Sequence, residues 1–77
     1  MSEELSNILQ EAAVMVSQTA APHEDTVKTV GKVSDELRSV FEEKGAEAAQ
    51  TRFEVLKNAR IEGAQARLEH APNPHLS

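Results

Sequence analysis

A chain of 77 residues, 39% hydrophobic and 27% charged, has the composition of an ordinary soluble protein and the length of one small domain, so two domains, a disordered polymer and a membrane-spanning bundle are all excluded. It has no cysteine, which leaves no disulfide framework, thiolate nucleophile or cysteine-ligated zinc site. The formal charge of -5 lies entirely in the first third, where residues 1–27 carry Glu3, Glu4, Glu11, Glu24 and Asp25 and no Lys or Arg.

The remaining fifty residues balance eight cations against eight carboxylates. That distribution offers no basic stripe to displace counterions from phosphates, so no direct nucleic-acid partner is expected. The longest apolar run, Ala12 to Val16, falls far short of the roughly 20 residues that cross a bilayer, and the acidic start is unlike a secretory signal; a cytoplasmic protein with no membrane partner is expected.

Apolar residues recur at helical spacing and never alternate for long, so the fold is expected to be all-α. The first helix is expected over about residues 3–18. Ser2 is placed to cap it, Glu3 and Glu4 favour its first turn, and Leu5, Ile8, Leu9, Ala12, Ala13, Met15 and Val16 share one face, with Val14 off it. Pro22, followed by Glu24 and Asp25, suits the first turn of a second helix over about 23–44. There Val27, Val30, Val33, Leu37, Val40 and Phe41 form the cleanest apolar stripe in the chain, a face expected to be buried. Lys28 lies four residues from Glu24, and Glu42 four from Arg38, at ion-pair spacing on the outer side.

A third helix is expected over about 46–70, followed by an extended tail over 72–77 that Pro72 and Pro74 keep from continuing it. It has two apolar stripes, a larger one of Ala46, Ala49, Phe53, Leu56, Ile61, Ala64 and Leu68, and a smaller one of Ala48, Val55, Ala59 and Ala66. Gly45 reads as a left-handed cap ending the second helix after Lys44. Running straight through it would turn Phe53, Leu56 and Leu68 away from the second helix's apolar face, so an antiparallel hairpin is favoured over one long rod. The domain is then residues 1–71. Seventeen Leu, Ile, Val and Phe residues make a thin core with no disulfide or metal to reinforce it, and assembly into a homo-oligomeric helical bundle, a dimer of hairpins for instance, is expected.

Chemistry is hardly specified. His23, His70 and His75 match no metal or catalytic spacing, the serines lack a nucleophile context, and Gly31, Gly45 and Gly63 stand singly, so no enzyme, catalytic residue, metal or cofactor is expected. Arg60 and Arg67 stand seven apart within the larger apolar stripe. Guanidinium groups there either reach water or a carboxylate, or converge on an anion.

Elimination leaves a protein-binding module: a small acidic regulator, inhibitor or adaptor of the kind bacteria and phages use. It would bind itself and another protein with a basic or apolar surface, through Glu3, Glu4, Leu5, Ile8, Leu9, Glu11 and Met15. Two alternatives stand beside it: an oligomer that binds or sequesters an anionic, nucleotide-like molecule through Arg60 and Arg67, and a structural assembly subunit.

Overall fold

A computed structural model describes residues 3–70, which form three helices and, among the described residues, no strand: α1 (Glu3–Thr19), α2 (Thr26–Lys44) and α3 (Ala46–His70). The Ser2 cap and the tail over 72–77 lie outside the described residues. Each helix packs against both others, around a core of Ile8, Ala12, Met15, Val16, Leu37, Ala49 and Phe53. The α1 members recur at the three- and four-residue steps that align side chains on one face, and each large side chain withdrawn from water stabilises the fold by roughly 1.5–3 kcal/mol.

The start of α2 differs from the sequence expectation. Residues 21–24 form a closed turn, with the Glu24 N–H donating to the Ala21 carbonyl at 3.1 Å. Pro22 holds the second position of this turn, where its fixed φ is equally at home. The N-cap is Asp25, whose carboxylate accepts from the Lys28 N–H at 3.1 Å. Glu24 is therefore left outside the helix, and Arg38 pairs with Asp35 at 3.3 Å.

Gly45 alone separates α2 from α3. Its φ of 94° with ψ of -179° is not the left-handed helical cap expected but an extended positive-φ conformation open essentially to glycine alone. Its N–H closes α2 on the Phe41 carbonyl at 2.9 Å, and its own carbonyl accepts the first α3 bond, from the Ala49 N–H, at 3.1 Å. One residue is thus both the last cap of α2 and the first of α3, which explains how α3 starts without a polar N-cap. Across this break the Arg52 guanidinium on α3 pairs with the Glu36 carboxylate on α2.

The α2 stripe is covered less completely than expected. Leu37 is fully buried, while Val30, Val33, Val40 and Phe41 are half-buried against the core and Val27 is 83% exposed. On α3, Ala49 and Phe53 are buried and Leu56 half-buried, but Ile61 and Leu68 of the same stripe lie at the surface. At 25 residues α3 spans about 37 Å against about 25 Å for α1, and no described residue beyond Arg60 is fully buried.

Candidate functional site

The densest polar cluster joins the end of α1, the turn after it and the middle of α3. Arg60 donates from Nε to the Thr19 hydroxyl at 2.8 Å and from Nη2 to Glu24 Oε1 at 2.7 Å. The Thr19 hydroxyl in turn donates a hydrogen bond to the Met15 carbonyl at 2.8 Å. Glu24 also accepts the Ala21 N–H at 3.0 Å and the Thr29 hydroxyl at 2.8 Å. The Arg60 hydrogen bond, then those from Ala21 and Thr29, hold the Glu24 carboxyl well below the usual carboxylate range, at about 2. Arg67 reaches back to donate from Nη2 to the Thr19 carbonyl at 2.9 Å.

This arrangement supplies something α1 lacks. Its last turn contains no basic residue, although exposed carbonyls and the negative end of the helix dipole favour a cation there. Arg60 and Arg67 provide the positive charge from α3. Their apolar surroundings are legible in sequence, but their partners Thr19 and Glu24 are more than 35 residues away and on a different element, so no local spacing announces them. The one available signal was negative: a helix with no cation at its C-terminal end. Both guanidinium groups are turned onto the chain's own oxygens, and an external anion at Arg60 would have to displace the Glu24 carboxylate.

The residues expected to meet a partner divide sharply. Glu3, Glu4 and Glu11 are exposed, and Leu9 is half-buried. Leu5, Ile8 and Met15 are buried, because α1 turns its apolar stripe inward onto the other two helices. His23 is exposed, whereas the His70 side chain and His75 lie outside the described residues. No group of three or more His, Asp or Glu side chains among the described residues is placed to hold a metal ion.

Two open grooves run along α3. The first follows the α1–α3 seam. Its lower part is lined by Glu4, Asn7, Ile8, Glu11, Ala46, Glu47 and Gln50. Its upper part shares Glu11 and Gln50 and adds Val14, Met15, Phe53, Glu54, Lys57 and Ile61. Lys57 pairs with Glu54 at 3.3 Å and lies 5.6 Å from the Phe53 ring centre. The second follows the α2–α3 seam, where Val40, Ala48 and Val55 sit among Lys44, Glu47 and Arg52. The α3 half of the first groove is not apparent in the sequence, because Glu47, Gln50, Glu54 and Lys57 read as an ordinary solvated face until α1 is laid beside them.

No helix among the described residues is long and apolar enough to cross a membrane. Compared with models of known protein families, with curated proteins and with solved structures, the chain matches none.

Proposed function

We propose that the chain is a non-catalytic protein-binding module, a small acidic helical regulator or adaptor that acts in the cytoplasm as a homo-oligomer. The observation that carries this reading is the aliphatic surface left along the two seams, Val14 and Ile61 on one and Val55 on the other, each exposed and each beside charged residues that would frame an interface. In this reading α2 and α3 are the arms of an antiparallel hairpin, supported by the Glu36–Arg52 pair on either side of Gly45. The α2–α3 seam serves self-association, since its charges are of both signs and two copies meet there without concentrated repulsion. The acidic surface of α1 serves the other protein.

Affinity capture on the full chain, with chemical cross-linking and at rising salt, tests the reading. A discrete complex is expected, weakened by salt and lost when Glu3, Glu4 and Glu11 are all replaced by lysine. If no discrete complex forms with the unaltered chain, the reading fails; if the triple variant binds as well, the acidic surface is not the contact.

A further inference from the structure

We infer that the α1–α3 groove is the seat of one kind of partner segment, an amphipathic helix with Lys and Arg in one half and aliphatic side chains in the other, an inference that rests on the protein-binding reading above. The groove changes character along its length. Glu4, Glu11 and Glu47 line its lower part, while Glu54 stands at the start of the upper part beside Lys57, the one cation lining the groove among the described residues. Towards the upper end Val14 is 55% and Ile61 38% exposed, over a floor of Met15 and Phe53.

Leu68, 79% exposed, follows two turns beyond Ile61 on the same edge of α3. From Glu47 to Leu68 the α3 edge measures about 30 Å, the length of a helix of about 20 residues. A segment lying in it meets carboxylates along one half and aliphatic surface along the other, the pairing by which helix-in-groove partners are held and oriented.

The charge patterns of α1 and α2 favour another protein over a second copy of this chain docked by either helix. α1 contains no Lys or Arg. α2 has Lys28 and Lys32 in its first half, but its second half is also charged, with Arg38 and Lys44 among Asp35, Glu36, Glu42 and Glu43, where the groove asks for aliphatic residues. Its apolar stripe is also engaged with its own core. A copy docked there by α2 would join unlike surfaces, which form a closed assembly only if the rotation between copies brings the last back to the first.

Selection from a display library of randomised helical segments of about 20 residues, on the immobilised full chain, tests the inference, with recovered peptides titrated by fluorescence anisotropy. Recovered sequences are expected to carry Lys or Arg in one half and Leu, Ile, Met or Phe in the other. They should bind Glu11→Gln/Glu54→Gln at least about fivefold more weakly, a shape-preserving change that removes two charges, and bind Val14→Ser/Ile61→Ser more weakly too. Amide resonances of Gln10–Val14 and Gln50–Ile61 should shift on binding, and circular dichroism checks that each variant keeps its helices.

Uncharged or acidic recovered sequences, binding unaffected by both variants, shifts confined to the α2–α3 seam, or no recovered peptide at all would each overturn the groove assignment. So would cross-links showing a second copy in the groove. None of these removes the protein-binding reading, which falls only if the capture experiment yields no complex.

Discussion

Protonating Glu24 takes away the acceptor that Arg60, the Ala21 N–H and the Thr29 hydroxyl share. Because its carboxyl titrates at about 2 in the folded chain against an ordinary 4.5, the unfolded chain binds the proton first as pH falls. Stability from this group is therefore complete above the ordinary value and is lost progressively as pH drops through the interval towards 2. The difference in unfolding temperature between the wild type and Glu24→Gln should accordingly be largest near neutrality and shrink steadily as pH falls towards about 2; a difference independent of pH would show that the carboxylate's charge is not what holds the turn to α3. The two arginines were conspicuous in the sequence as charges on an apolar stripe. What they bind was not, since hydrogen bonds between α3 and the end of α1 depend on how the helices are arranged, which a wheel drawn for each helix alone does not contain.

At the scale of the helices, local rules located the end of α1 and the start of α3 closely, and they misjudged the start of α2, because Pro22 with two following carboxylates satisfies a turn and a first helical turn equally well. Periodicity gave the direction of the α2 face correctly at its centre, Leu37, but it has no term for width. Two neighbours of ordinary diameter cover the middle of a six-residue stripe and leave its edge and first turn, Val27, in water. The glycines separate the two kinds of positional demand. Gly31 has open space where a Cβ would stand and lies in the interior of α2, so Gly31→Ala should raise stability by about 0.5–1 kcal/mol. Gly45 also has space around it, yet its φ of 94° penalises any side chain, and Gly45→Ala should lower stability by about 1–3 kcal/mol. Urea midpoints of the two variants should therefore move in opposite directions, although neither substitution meets a clash.

For the whole molecule, the longest dimension is 51 Å against 20 and 16 Å for the others, a shape that leaves much of α3 with neighbours on one side only. The small stripe of α3 lies along its open α2 side. Ala59 and Ala66 are exposed there, in line with Val55, which is 52% exposed, and the alanines would let a second helix approach to about 8 Å. If this seam is where copies of the chain meet, Val55→Asp places a carboxylate from each copy in a desolvated contact and should shift the protein to monomer. Helix content should be unchanged, because Val55 makes no part of the buried core. Val27→Asp, at the opposite edge of the stripe on α2, should leave the assembly intact. Sedimentation equilibrium reads the masses directly, and the concentration dependence of the unfolding temperature should disappear in the Val55 variant alone. A wild-type chain that stays monomeric at about 100 µM, well above the dissociation constant of a functional dimer, would remove the oligomer and leave the α1–α3 groove as the one surface with a partner to account for.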